Sequence, residues 1–294
     1  MPENENIVEV KGLSKKFGAT EVLHEIDFLI PQGRIYGLIG HNGAGKTTAI
    51  NALLGLTDYQ GSVRVLGLEP YQNRAELMRN VAFISDVASL PRFLKVSQLL
   101  DLLEGIHPNF SQSKALELLE GTDIRLGATI KALSKGMLAQ LHLAIVMAID
   151  AKLLVLDEPT LGLDITFRKK FYRRLLEDYM NEGRSILITT HQVDEIEFLL
   201  SDLIFIREGK IVLDASMQDI ARRYIQVSVR EEKLNDAKEQ KPIYTARVLG
   251  QSIMIFDGLP EDEASELGTT APPSVSDLFV ALMEREPAGT GAVQ

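Results

Sequence analysis

The sequence predicts an α/β fold, and three observations carry that prediction. A glycine-rich loop lies directly between an apolar strand, Arg34–Ile39, and a helix, Thr47–Leu56. Two further apolar runs, Lys152–Leu156 and Ser185–Thr190, have the short, unbroken character of buried strands. Around them lie segments with apolar residues at helical spacing, so strands and helices interleave along the chain. At 294 residues there is enough chain for one large domain and a small appendage.

The elements follow in order. Ile7–Lys11 and Ile26–Ile30 cluster apolar and β-branched side chains between turn formers and are predicted as short strands. Pro31, Gln32 and Gly33 turn the chain into Arg34–Ile39, and the helix after the loop is closed by Gly55 or by the turn at Gly61. Ser97–Gly105, Ser113–Glu120 and Ser134–Ile149 make a helix-rich middle section. Beyond the strand Lys152–Leu156 come an amphipathic helix, Phe167–Asn181, the strand Ser185–Thr190 and a short helix, Glu195–Leu200. Leu203–Arg207 and Lys210–Leu213 then form a hairpin across Glu208 and Gly209. After about Ala215 the composition turns charged and loop-like, with Glu231–Lys241 solvated and short strands at Ile225–Val229 and Ser252–Phe256. Ser274 and Asp277, behind Pro272 and Pro273, start a last helix with Leu278, Phe279, Leu282 and Met283 on one side, and Pro287–Gln294 is a frayed tail.

Composition removes several classes of function. Lys and Arg number 31 against 41 Asp and Glu, a formal net charge of -10, which opposes bulk attraction to nucleic acid or anionic lipid. No cysteine is present, so disulfide frameworks, cysteine zinc sites and thiol nucleophiles are excluded together. Met1–Asn6 is polar and acid-bearing, so no secretory leader is expected there. No run reaches the roughly 18 to 20 uncharged apolar residues that cross a bilayer; the nearest, Leu141–Leu156, is broken by His142, Asp150 and Lys152.

Gly40, His41, Asn42, Gly43, Ala44, Gly45, Lys46 and Thr47 fit G-x-x-x-x-G-K-[ST], with Thr48 following. A triphosphate needs several backbone N–H groups converging on it, and Gly43 and Gly45 leave their path clear. The helix beginning near Lys46 adds its positive dipole end, Lys46 a point charge for the β- and γ-phosphates, and Thr47 a hydroxyl for Mg²⁺. A chance glycine turn ahead of a helix is the competing reading, which the strand–loop–helix context disfavours. The second half of such a site is acidic and ends a buried strand. Asp157, after Leu153–Leu156, would hold Mg²⁺ through water, and Glu158 would orient and deprotonate the attacking water. Taken alone, two acids after an apolar run are a solvated strand end.

A phosphate cradle with Asp-Glu also suits GTPases, kinases and helicase-like ATPases, so the middle section decides. Leu133, Ser134, Lys135, Gly136 and Met137, just ahead of Asp157 and Glu158, resemble the L-S-G-G-Q signature of ABC ATPases. Pro159 after Glu158, the D-loop stretch Leu161, Gly162, Leu163 and Asp164, and His191 after the strand Ile186–Thr190 are similar to the same family, over residues 7 to about 215. Pro273–Phe279 looks like the tail of exporter-type subunits. The resemblance implies a P-loop cassette with a RecA-like core, an antiparallel β subdomain and a helical subdomain over about 86–150, together spanning 1–215. Residues 216–294 are then a small α+β C-terminal accessory region.

The resemblance further implies a head-to-tail pair of ATPase subunits, homodimer or pseudo-dimer, in which Ser134 and Gly136 of one close over the γ-phosphate held by the other. Asp164 would link the two sites, and His191 would contact the γ-phosphate and hold the water and Glu158 in line. Phe17 sits where an aromatic residue stacks on adenine, although an aromatic beside Gly18 is equally at home in a core, and His191 alone could be a surface histidine. Four positions depart from the family pattern. Lys135 and Met137 replace a glycine and a glutamine of the signature, His41 replaces a frequent proline, and Asp86 stands where the Q-loop glutamine belongs. Asp86 either ligates Mg²⁺ or merely caps the next turn.

The expectation is an ATPase subunit, using ATP and Mg²⁺, that drives a separately encoded integral membrane permease, in the direction of export. It would sit peripherally on the cytoplasmic face of the membrane, with Phe93–Ser111 meeting the permease. A soluble ABC-type ATPase acting on ribosome or DNA is the alternative, opposed by the charge and the single cassette; a module that binds ATP without hydrolysing it is opposed by Glu158.

Overall fold

The computed structural model describes residues 6–85, 90–160, 163–179, 183–191, 193–248 and 250–284. Strands β1 (Asn6–Phe17) and β2 (Thr20–Pro31) form a long antiparallel hairpin, and β3 (Ile35–Ile39) runs through the glycine-rich loop into helix α1 (Lys46–Leu53). β4 (Gln60–Val65) pairs with the other edge of β1, completing a three-stranded sheet of order β2-β1-β4. β1 is far longer than Ile7–Lys11 because register shifts between Val10 and Lys16 break the strict alternation by which a strand is recognised.

A short α2 (Arg74–Leu77) precedes β5 (Val81–Ile84), and the helical middle section comprises α3 (Val96–Ile106), α4 (Gln112–Leu119) and α5 (Lys135–Met147). These three pack around a shared apolar core that includes Leu99, Leu100, Phe110, Ala115, Leu141 and Ile145. Then come β6 (Leu153–Asp157), α6 (Ile165–Arg174), β7 (Ser185–Thr190), β8 (Asp202–Arg207) and β9 (Lys210–Ser216). The order of the largest sheet is β5-β6-β7-β3-β8-β9. Its first four strands are parallel, and every residue of β3, β6 and β7 is buried, which is why these strands lack polar alternation. The predicted helix Phe167–Asn181 is α6 continued by a π-helical turn at Leu175–Tyr179; Asn181 lies outside the described residues. In place of the expected helix Glu195–Leu200 there are two 3₁₀ turns, Val193–Glu195 and Glu197–Leu199.

The chain divides into two compact units, Met1–His191 with Ile206–Ile211, and Gln192–Phe205 with Val212–Gln294. In the second, α7 (Met217–Arg223) leads to β10 (Tyr224–Val229), α8 (Leu234–Glu239), β11 (Tyr244–Val248), β12 (Gln251–Asp257), α9 (Glu261–Leu267) and β13 (Gly268–Ala271). This β-α-β-β-α-β sequence forms an antiparallel sheet of order β11-β12-β10-β13. Ala237 of α8 and Ala264 and Leu267 of α9 pack with Val227, Met254 and Phe256. Glu231–Lys241 is largely exposed, as expected, but it is not a loop: Leu234 and Ala237, one turn apart, supply enough apolar contact for a short helix that docking stabilises. The last helix, α10 (Val275–Glu284), begins as expected. The Ser274 hydroxyl accepts the Asp277 N–H at 3.0 Å, and the Phe279 ring meets Phe205 edge-on.

One turn in the first unit bears on the glycine-rich loop. Glu208 and Gly209 both have positive φ, 48° and 71°, the combination of a tight hairpin turn. The Gly209 N–H donates to the Ala44 carbonyl and its carbonyl accepts the His24 N–H, so the turn clips the loop to β2. A Cβ at Gly209 would lie 2.2 Å from the Val22 carbonyl oxygen. Gly209→Ala is expected to cost about 1–3 kcal/mol, read as a lower thermal unfolding midpoint; an unchanged midpoint would mean that the turn does not hold the loop.

Candidate active site

Three parallel strands end side by side in the order β6-β7-β3, and the site is built on those ends. β3 delivers the loop Gly40–Gly45 into α1, whose N-cap, Gly45, has φ 108° and ψ 0°. Glycine suits this position, since φ 108° is a conformation that residues with a Cβ rarely adopt. Lys46 is buried, and its Nζ donates to the Gly40 carbonyl at 2.7 Å and the His41 carbonyl at 3.2 Å. Burial lowers its pKa from the usual lysine value, while the negative charges of Glu158 and Asp157 oppose that shift. The loop thus pre-positions a cation, and the free N–H groups at the start of α1 add a positive field.

β6 delivers the acids. Asp157 is buried, and both carboxylate oxygens are occupied: Oδ2 accepts the Thr47 hydroxyl at 3.1 Å and Oδ1 the Thr189 hydroxyl. Glu158 follows with φ 50°, a left-handed conformation costly for a residue with a Cβ. Its N–H is shared between the Thr189 carbonyl at 3.1 Å and the Thr189 hydroxyl oxygen at 3.3 Å, which holds the backbone in that turn. The Glu158 carboxylate then meets His191 Nδ1 at 2.9 Å. Because a carboxylate only accepts, the imidazole Nδ1 donates.

Asn42, Gly43, Gly45, Lys46, Thr47, Thr48, Asp157 and Glu158 line one cleft of about 230 Å³, with Val22 of β2 on its wall. Gly40, His41 and Ala44 contribute through backbone carbonyls, to Lys46 in the first two cases and to Gly209 in the third. The remaining expected residues lie elsewhere. Leu133–Met137 does not line the cleft; Ser134 caps α5, its hydroxyl accepting the Met137 N–H at 3.2 Å, and leaves an exposed helix N-terminus. Asp164 likewise caps α6, accepting the Phe167 N–H at 2.9 Å. Phe17 is 54% exposed at the end of β1, paired with Thr20, two residues before Val22. Asp86, Leu161 and Gly162 lie outside the described residues.

Thr189 was not singled out from the sequence, yet it contacts both acids. The available signal was a hydroxyl in an otherwise apolar buried strand, since such a group needs a partner. Its position follows from topology, because β7 lies between β3 and β6.

A cradle with a buried lysine, facing an acid pair at the end of a parallel strand, defines a P-loop nucleotide-hydrolysing cassette. The family model described as ABC transporter matches residues 23–161. The chain is 30% identical over 298 residues to the Nod factor export ATP-binding protein I of Sinorhizobium fredii, covering 95% of this chain and 86% of that one. It is 32% identical over 214 residues to the lantibiotic transport ATP-binding protein SrtF of Streptococcus pyogenes, covering 71% and 90%. A solved ATP-binding subunit of an ABC transporter superposes with a TM-score of 0.68 at 27% identity, over 74% of this chain and 92% of that one. The chain belongs to the ABC transporter family of ATP-binding proteins, and its activity is ATP hydrolysis.

The Thr189 contacts have a measurable consequence. Thr189→Val keeps the shape and removes the hydroxyl, and is expected to lower steady-state turnover about tenfold with a small change in KM for ATP. Thr189→Ser is expected to keep most of the activity. Equal turnover in the Val variant would show that the hydroxyl does not matter.

Proposed function

We propose that this chain is the ATP-hydrolysing subunit of an exporter, bound to a separately encoded membrane permease and closing as a head-to-tail pair of subunits on ATP. The observation that carries the proposal is the Glu158–His191 contact at 2.9 Å beside the cradle. A carboxylate ordered by an imidazole is a general base in place for water, which a module that only binds nucleotide has no need to hold.

In this reading the backbone N–H groups of Asn42–Thr48 and the Lys46 ammonium bind the β- and γ-phosphates. The Thr47 hydroxyl and the Asp157 carboxylate, 3.1 Å apart, are hard oxygen donors of the kind Mg²⁺ takes, and they would hold it. When bound, Mg²⁺ neutralises charge on the phosphate oxygens. Among the described residues there is no cluster of three or more His, Asp or Glu that could hold a metal, which suits an ion completed by phosphate and water. Glu158 accepts the proton of the attacking water, and His191 fixes its carboxylate and contacts the γ-phosphate. Phe17 stacks on adenine.

Ser134 and Gly136, at the exposed start of α5, close over the γ-phosphate of the partner subunit, and the positive end of that helix favours the anion. Lys135 adds a cation where the family has glycine. Asp164 connects the two sites, and Asp86 occupies the Q-loop position. ATP then bridges two subunits, hydrolysis removes the bridge, and the population returns to the open form.

Export is supported by the name of one relative, a Nod factor export protein, and transport by that of a second, a lantibiotic transport protein. A separate permease is supported by the absence, among the described residues, of a helix long and apolar enough to cross a membrane. Phe93, 82% exposed, and Ile106, 67% exposed, are apolar side chains of the helical section open to that partner. The subunit is then peripheral on the cytoplasmic face of the membrane, with 1–215 as the ATPase cassette and 216–294 as an accessory region.

Glu158→Gln in the presence of ATP is expected to give a stable dimer by size-exclusion chromatography, with hydrolysis reduced at least a hundredfold. A variant that stays monomeric would contradict the closed-pair reading. Co-expression with the product of a neighbouring membrane-protein gene is expected to bring both down together; no association with any such product, with ATPase activity unaffected by it, would contradict the transport reading.

A further inference from the structure

Lys15 is a buried cation that the phosphate site does not use. It lies on β1 with 7% of its surface exposed, and its Nζ donates to Asp58 Oδ1 at 2.7 Å. The same Nζ stands 4.8 Å from the centroid of the Phe17 ring. A lysine has a long, freely rotating stem, and here both its burial and its ion pair fix the head group. Asp58 is held ionised below the ordinary aspartate range, chiefly by its hydrogen bond from Lys15. The ring is therefore packed on one side by an ordered cation, yet Phe17 remains 54% exposed.

Phe17 pairs with Thr20 in the tight β1–β2 turn, and Val22 two residues later lines the phosphate cleft, so the exposed ring belongs to the ribbon that walls the site. A cation over one face of an aromatic ring draws its electron density toward that face. The opposite face is then better disposed to stack on an electron-rich heteroaromatic base, and the ring is less free to turn away.

We propose that Lys15, held by Asp58, is a positioning residue for nucleotide recognition: it backs the Phe17 ring so that the ring's free face receives the purine of ATP. This rests on the reading of Phe17 as the base platform. The role concerns the base alone, because Lys15 and Asp58 do not line the cleft around Lys46. Base and phosphate recognition are thereby separated, the first on β1 and the second on the loop after β3.

The separation gives the test. Calorimetric titration of the full chain with ATP and with inorganic tripolyphosphate compares a ligand that has a base with one that lacks it. Lys15→Met keeps the aliphatic stem and loses the charge. It is expected to weaken ATP binding about three- to tenfold and to leave tripolyphosphate binding unchanged, with Lys15→Arg restoring most of the ATP affinity. Asp58→Asn should show a smaller loss of the same kind, and Phe17→Ala a loss at least as large as Lys15→Met. If Phe17→Ala weakens ATP selectively while Lys15→Met binds ATP as the parent does, the proposal fails and the platform stands. If neither variant discriminates ATP from tripolyphosphate, the platform fails and the proposal with it. An equal loss for both ligands in Lys15→Met would show a merely structural role and overturn the proposal.

Discussion

Asp157 ends β6 with 3% of its surface exposed, and a carboxylate so placed is tolerated only when its oxygens find donors. Two hydroxyls supply them, Thr47 from the helix after the glycine-rich loop and Thr189 from β7. Loop, acid pair and the strand between them are thereby joined through one side chain. The strand order β6-β7-β3 makes this possible, since it sets three carboxyl ends beside one another. Thr189 extends the linkage by holding the Glu158 backbone at φ 50° through its carbonyl and hydroxyl oxygens. A conformation of that kind costs about 1 kcal/mol or more and persists where surrounding bonds determine it.

The electrostatics follow the same plan. Lys46 would lose charge on burial, and Asp157 and Glu158 oppose that loss. The cation is ordered by the Gly40 and His41 carbonyls of the same loop. The clip from Gly209 to Ala44 and His24 fixes the loop from the outside. Ser134–Met137 and Asp164 sit instead at exposed helix starts, where a hydroxyl or carboxylate caps its own helix. Residues that cap and stay exposed are available to a second subunit without unfolding anything in their own.

Much of this was legible in the sequence because local chemistry and global fold agree there. The loop Gly40–Thr47 follows an apolar strand and opens a helix, and the strands over 35–39, 153–157 and 185–190 are apolar throughout because they are buried on both faces. The hairpin across Glu208 and Gly209 was equally clear, a glycine between two β-branched runs. What stayed hidden depends on tertiary contact. The full length of β1 is masked by its register shifts, α8 needs the sheet beneath it, and α6 passes into a π-helical turn with no break in its pattern. Thr189 went unmarked because threonine is at home in any strand, and only the neighbouring Asp157 and Glu158 give its hydroxyl a role. Lys15 was invisible for the same reason, being one of two adjacent lysines, of which only this one is buried.

The central claim is that Glu158 and His191 act as one unit in activating water at the end of β6. Single-turnover ATP hydrolysis by Glu158→Gln, His191→Ala and the double variant tests it most directly, since groups that act together lose function together. The account predicts that the double variant is no more than about threefold slower than Glu158→Gln alone. Losses that multiply across the two substitutions would contradict it.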